Sequence, residues 1–266
     1  MNRKPGNWKL GTSFSLANPI DLKQAAESGI QCIELTWQPL DIFDPEVKMK
    51  CDEVVAAARR LGIDVWSLHI PFGTAWDPSS LDQDTLEQVV AKVRHLFRYA
   101  ADWGIGTLVY HPSWEPVPPE ERALRLKTSK QTLALLAQEA AASGLRLAAE
   151  CLPRTCLGHS ADEMEYLTEE NPELGVCCDV NHLFKEKPQQ FIEKLGDRIV
   201  TTHISDNDGT DEKHWMPGTG NLEWNEILNA FAAAGYRGPM MHEVRNPDPE
   251  AITVNWHHIL DASSNP

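Results

Sequence analysis

Seven short apolar runs in this chain carry a carboxylate or an imidazole at or near their close. CIEL carries Glu34, VWSLH ends in His69, LVYH in His111, LAAE in Glu150, GVCCD in Asp179, IVTTH in His203 and PMMHE in Glu243. These side chains can hold a divalent cation or move protons. Parallel strands buried on both faces read as uniformly apolar, so a polar residue repeated at strand after strand needs a chemical reason. A lone strand-end histidine is usually a satisfied structural group, and a lone buried glutamate usually pairs with an arginine. Seven in phase are not explained that way, because burying them together without a cation is costly. Glu150, Asp179, His203 and Glu243 end four successive runs. Three carboxylates and one imidazole are a hard-to-borderline donor set for a divalent metal ion. Mn²⁺ fits best, Mg²⁺ and Co²⁺ closely, and Zn²⁺ or Fe²⁺ are admitted.

The elements that must position these residues alternate. Strand patterns fall at 8–13, 31–36, 64–70, 107–111, 146–151, 174–179, 199–205 and 238–243, each followed by a helical pattern. Asn18-Pro19 reads as the opening of the first helix, Asp44-Pro45 of the second, Asp82 or Asp84 of the third and Pro118-Pro119-Glu120 of the fourth. Ser160 or Asp162 opens the fifth, Pro188 lies in the first turn of the sixth, Asn221 caps the seventh, and the eighth runs over 249–260. Alternation means a parallel sheet with crossover helices. Eight units predict a closed (β/α)8 TIM barrel, a single α/β domain over residues 1–266, with the strand ends converging on one mouth where such barrels carry their sites.

Composition narrows the partners. The chain has 39 acidic and 24 basic residues, a formal charge of −15. A nucleic-acid binder carries a basic stripe, and none is legible, so no nucleic-acid partner is expected. No run of about 18 apolar residues would span a membrane, and the opening MNRKPGNWKL has no signal-type apolar core. A cytoplasmic location is the expectation. The six cysteines include no CxxC pair; Cys32, Cys151, Cys177 and Cys178 lie in strand patterns as small hydrophobes. Cys151 and Cys156 flank a loop, where a structural thiol is commoner than a reactive one. GTGN at 218–221 lacks the spacing of a dinucleotide fingerprint. The oligomeric state stays open, a homo-oligomer included.

Taken together, the motifs resemble the xylose isomerase-like barrel superfamily, in its sugar phosphate isomerase/epimerase branch. The carrying segments are IEL at 33–35, LHIP at 68–71, HPSW at 111–114, AECLPR at 149–154, CDVNH at 178–182, THISD at 202–206, HWMPGTG at 214–220 and HEV at 242–244. The resemblance implies that Glu150, Asp179, His203 and Glu243 ligate a metal and that His182 contacts substrate or a second metal. It also implies that Glu150 and Glu243 work as paired acid and base. Three positions depart from the family: Cys151 replaces an asparagine, Cys156 a glutamate of ketose 3-epimerases, and Gly209 an arginine of the same enzymes. They speak against a free-ketose 3-epimerase.

The implied chemistry is proton abstraction beside a carbonyl on a sugar or polyol-like substrate. A chelated cation stabilises the enediolate, and a carboxylate removes and returns the proton. A lyase or dehydratase, which expels a β-leaving group from the same intermediate, is the near alternative. His69, His111, His182 and His214 also resemble the extra ligands of endonuclease IV, with Glu212-Lys213-His214 standing for its Asp-x-His element; acidic charge argues against that reading. Glu34, His69, His111, His182 and His214 are expected at the substrate. Trp37, Trp76, Trp114 and Trp215 fall in loops after strands and are expected to wall a sugar ring or an attached aglycone. Arg154 is a candidate anion contact, and Gly218, Gly220 and Arg245 offer only a weak phosphate site.

Overall fold

The structure is a computed structural model that describes residues 7–264. Eight strands are present: β1 (Leu10–Ser15), β2 (Cys32–Thr36), β3 (Asp64–His69), β4 (Thr107–Tyr110), β5 (Arg146–Glu150), β6 (Leu174–Asp179), β7 (Ile199–His203) and β8 (Met240–His242). Eight helices alternate with them: α1 (Leu22–Ser28), α2 (Pro45–Arg60), α3 (Gln83–Asp102), α4 (Arg122–Ala142), α5 (Ala161–Thr168), α6 (Pro188–Leu195), α7 (Trp224–Ala234) and α8 (Pro249–Ser264). The strands run parallel in the order β7-β6-β5-β4-β3-β2-β1-β8. An Ile204–His242 bridge joins the two ends, with Ile204 N donating to Met241 O at 2.8 Å and Glu243 N to Ile204 O at 3.2 Å. The expected (β/α)8 TIM barrel is therefore the fold.

Alternation along each strand sends one set of side chains into the barrel and the other towards the helices. Small residues fill the inside: Val109, Ala148 and Cys177 form one interior cluster. Gly11 is required there, since a Cβ would stand 2.8 Å from Cys32 Sγ and 2.9 Å from Met241 Sδ. Outside, α3 turns Val89, Val93, Leu96 and Ala100 inward at helical spacing.

Local chemistry set most helix starts. Asp44 accepts from Glu46 N, Asp82 from Thr85 N and Ser160 from Glu163 N, each as an N-cap. Three expected starts are corrected. Asp21, not Asn18-Pro19, caps α1, accepting from the Lys23 and Gln24 amides at 2.8 and 3.0 Å. Asn18 instead bridges back to Ser15. The prolines at 118–119 form a turn ahead of α4, closed by Glu121 N to Pro118 O at 3.1 Å. Asn221 does not cap α7, because its amide donates to Asp208 O at 2.6 Å. Among the described residues, no helix is long and apolar enough to cross a membrane.

Candidate active site

Glu150, Asp179 and His203 are the last residues of β5, β6 and β7, and Glu243 is the first residue past β8. β8 is shorter than expected, but the Glu243 amide is tied to Ile204 O, which sets its side chain beside His203. His203 Nδ1 stands 3.0 Å from Glu150 Oε1, 3.1 Å from Glu243 Oε2 and 3.9 Å from Asp179 Oδ2. One donor atom from each of the four lies within 4.8 Å of the others. That spacing fits donors about 2.0–2.4 Å from a common ion. Asp179 Oδ2 and Glu243 Oε2 are buried and accept no hydrogen bond; the Glu243–His203 approach is an ion-pair distance without hydrogen-bond geometry. Two orphaned carboxylate oxygens aimed at one point are the pattern a divalent cation satisfies.

Two further groups adjoin this one. Glu150 turns its other oxygen, Oε2, to His69 Nε2 and His111 Nε2, both at 3.1 Å. His182 Nε2 meets Glu212 Oε2 at 2.7 Å, with His214 Nε2 at 4.0 Å from the same oxygen. Both imidazoles turn Nδ1 to a backbone carbonyl, His182 to Cys151 O and His214 to Glu243 O, each at 3.0 Å. His214 is held in the left-handed region at φ 52°, a conformation that costs a non-glycine residue on the order of 1 kcal/mol or more.

The electrostatics follow from packing carboxylates and imidazoles out of water. Burial alone would raise Glu150, yet His203 and His111 outweigh it and hold the carboxyl well below its usual range. Burial opposes the charge on His203, and the Glu34, Glu243 and Glu150 carboxylates reverse that, placing it well above an ordinary imidazole. Glu243 is likewise lowered against burial, chiefly by His203. Asp179 behaves differently: burial, with repulsion from Glu243 and Glu150, pushes it up to about 6. His69 and His111 share one oxygen of Glu150 and both are raised by it, but only in His69 does the gain outweigh burial. Burial depresses both, and the Glu150 contact carries His69 up to about 9 while His111 stays lowered.

Phe72 was not singled out from the sequence, yet it organises the apolar rim. Its ring stacks on His111 at 4.9 Å and on Trp114 at 5.4 Å. The signal available was its place three residues after His69 in LHIPF. Glu212 was noted only within its motif, and Ser67 was missed; Ser67 stands two residues before His69 and so on the same strand face.

Three expectations change. Trp37 is 0 % exposed and sits in the hydrophobic core, so it does not wall the mouth. Arg154 is not a free anion contact. Its guanidinium meets Glu115 at 2.7 Å and Asp211 and Glu212 at 2.9 Å each. Glu34 lies within β2 rather than at its end, and bonds protein groups on both oxygens. Trp114 and Trp76 are partly buried, Trp76 stacking on Phe43 at 6.1 Å. Trp215 is 41 % exposed, its backbone paired with Asp206.

The family model described as xylose isomerase-like TIM barrel matches residues 22–261. The chain belongs to that family. A Streptomyces coelicolor protein provisionally named a hydroxypyruvate isomerase is 26 % identical over 251 residues, covering 87 % of this chain and 87 % of that one. Among solved structures, a D-tagatose 3-epimerase-like protein superposes with a TM-score of 0.83 at 22 % identity, over 96 % of this chain and 98 % of that one. A 3-keto-D-glucoside 4-epimerase from E. coli superposes with a TM-score of 0.76 at 19 % identity, over 95 % and 99 %.

Proposed function

We propose that this chain is a divalent-metal-dependent sugar isomerase or epimerase. The observation that carries the reading is the meeting of the Glu150, Asp179 and Glu243 carboxylates around His203 Nδ1. The names of the similar proteins support it: one provisionally named a hydroxypyruvate isomerase, a D-tagatose 3-epimerase-like protein and a 3-keto-D-glucoside 4-epimerase.

Glu150, Asp179, His203 and Glu243 are the residues that would hold the ion. A divalent cation bound there supplies Lewis-acid stabilisation of negative charge developing on a substrate carbonyl oxygen. The protein's own groups do the rest. Glu150 and Glu243 are both held ionised at neutral pH, so each can accept a proton from the carbon beside the carbonyl. In the metal-free site Asp179 keeps its proton up to about pH 6. His182 and His214, edge to face at 6.0 Å, offer polar contacts for substrate hydroxyls. Phe72 and Trp114 give an apolar face. Mn²⁺ is the preferred occupant of this donor set, with Mg²⁺, Co²⁺, Zn²⁺ and Fe²⁺ as competitors. If the substrate carries a β-leaving group, the same proton abstraction makes the chain a lyase or dehydratase.

The test is turnover of hydroxy-carbonyl sugars in deuterated water. The reading expects solvent deuterium at the carbon beside the carbonyl and loss of that exchange on chelation. Full exchange in a metal-free sample overturns it.

One observation favours a second reading. The His69–His111–Glu150 and His182–Glu212–His214 groups each bring three donor atoms within 4.8 Å of one another, beside the four-residue group. Such a set could seat more than one cation, as a phosphodiester hydrolase acting on abasic DNA uses. Acidic charge, −15 overall, weighs against it, and the two readings are separated below.

A further inference from the structure

Glu34 is a carboxylate with no opening to solvent. It is 1 % exposed, and β2 holds it in direct register with Ser67 of β3. A carboxylate sealed in a barrel survives only with partners for its oxygens, and Glu34 has one for each. Oε2 accepts from Ser67 Oγ at 2.7 Å, and Oε1 stands 2.8 Å from His203 Nε2. The His203 ring is 0 % exposed and lies nearly parallel to His69, 5.7 Å away at 18°. Its two nitrogens therefore face two different carboxylate environments. Nε2 faces Glu34; Nδ1 faces Glu150, Glu243 and Asp179.

An imidazole that ligates a cation uses the lone pair of one nitrogen, so its remaining proton must sit on the other. Ionised Glu34 can only accept a hydrogen bond. We propose that Glu34, oriented by Ser67, is a positioning residue that keeps the His203 proton on Nε2 and so presents Nδ1 as the metal-binding atom. The inference rests on the reading of Glu150, Asp179, His203 and Glu243 as the metal site.

Geometry separates this role from direct ligation. Glu34, His69 and His203 also lie close enough to surround an ion. Ligation there would take the Nε2 lone pair of His203 and put its proton on Nδ1, which would withdraw the ring from the four-residue site. His69 is turned elsewhere, its Nε2 directed at Glu150 Oε2. Ser67 is not itself a candidate ligand, and its hydroxyl reaches the group only through Glu34 Oε2, so its replacement tests the orienting contact without removing a carboxylate.

The experiment is Co²⁺ and Zn²⁺ titration of the full chain, with ¹⁵N-histidine NMR of the Zn²⁺-loaded protein and circular dichroism to follow folding. Wild type should bind one tight equivalent, altered by Asp179→Asn, and show His203 with its proton on Nε2. Glu34→Gln keeps the volume but brings an amide that can also donate, so affinity should fall by about 10- to 100-fold. The Nε2–H signal should shift, because the proton loses its charged acceptor. Ser67→Ala should weaken affinity by a smaller factor while the barrel stays folded. Wild-type affinity and an unchanged Nε2–H signal in Glu34→Gln overturn this proposal alone. Loss of all binding in Glu34→Gln with no effect of Ser67→Ala makes Glu34 a ligand and also overturns it. Absence of tight binding by wild type overturns the metal-site reading, and this inference with it.

Discussion

Glu212 Oε2 stands 2.7 Å from His182 Nε2, while the other oxygen of Glu212 is held 2.9 Å from Arg154 Nη1. The contact joins the segment after β6 to the long loop after β7, and Arg154 ties both to the loop after β5. Burial opposes charge on both partners. His182 and Arg154 nevertheless hold Glu212 at about 2, and Asp179, Glu212 and Glu150 hold His182 well above an ordinary imidazole. In metal-free protein, Glu212→Gln should move the His182 NMR titration midpoint downward. Arg154→Ala should do so more weakly, by loosening Glu212. An unmoved midpoint in Glu212→Gln would mean that the pair does not form in solution.

Glu150→Gln and Glu243→Gln each remove a base and a donor oxygen from the ion. Each should reduce turnover by roughly a hundredfold or more. Chelation should abolish it, with recovery on adding Mn²⁺ or Co²⁺. The measurement is kcat alongside metal content. A Glu243→Gln variant with full metal and full kcat would remove Glu243 from the catalytic pair.

Much of this arrangement was legible before the fold was known. A polar residue at the end of an apolar run carries its own position, because the strand must be buried and its end must lie at the mouth. Hence Glu150, Asp179 and His203 were found together. Caps were legible where one side chain had no rival, as at Asp44. They were not at Asn18 and Asn221: Asn18 turns back to Ser15 and leaves Asp21 to cap α1, and Asp208 O takes the Asn221 amide. Trp37 shows the limit for aromatics, since a tryptophan after a strand reads the same whether it faces a mouth or the core. Arg154 shows it for charge. Its partners lie 39, 57 and 58 residues away in sequence, and only the closed barrel brings three loops together.

Asp179 makes the metal-free fold pH-sensitive. Its carboxyl is raised from 3.8 to about 6 by burial and by repulsion from Glu243 and Glu150. A group whose folded pKa is raised contributes stability below its unfolded value, and that contribution is lost as pH rises through the folded value. The native state therefore bears the full penalty of the charge above about pH 6. Asp179→Asn should raise the Tm of metal-free protein at pH 7–8, with the gain shrinking as pH falls from about 6 towards 3.8. In metal-loaded protein the same change should lower Tm, because a ligand is gone. A metal-free Tm difference independent of pH over that window would contradict the raised carboxyl.

Trp114 stacks on Phe72, which in turn stacks on His111. If this row is the apolar face for substrate, Trp114→Ala should raise KM by about 2- to 10-fold, the scale of one lost stacking contact of about 0.5–1.5 kcal/mol. The Tm should stay within a few degrees of wild type. Unchanged KM with a large fall in Tm would assign Trp114 to packing.

The nuclease reading and the sugar reading differ in what the mouth must attract. An abasic-site nuclease holds a phosphate backbone, and its affinity falls steeply as salt rises. The chain offers 39 acidic residues against 24 basic, and two cations near the mouth are already engaged. Arg154 is shared by Glu115, Asp211 and Glu212, and Lys213 pairs with Asp208 at 3.2 Å. Freeing either to meet a phosphate would break pairs already made and leave the carboxylates exposed to the DNA. No measurable binding to abasic duplex DNA is therefore expected at physiological salt, and one tight equivalent of metal is expected per chain. Cleavage of abasic DNA at ordinary enzyme concentrations, with about three equivalents of zinc retained through dialysis, would overturn the sugar assignment. It would place His69, His111, His182, Glu212 and His214 among the ligands.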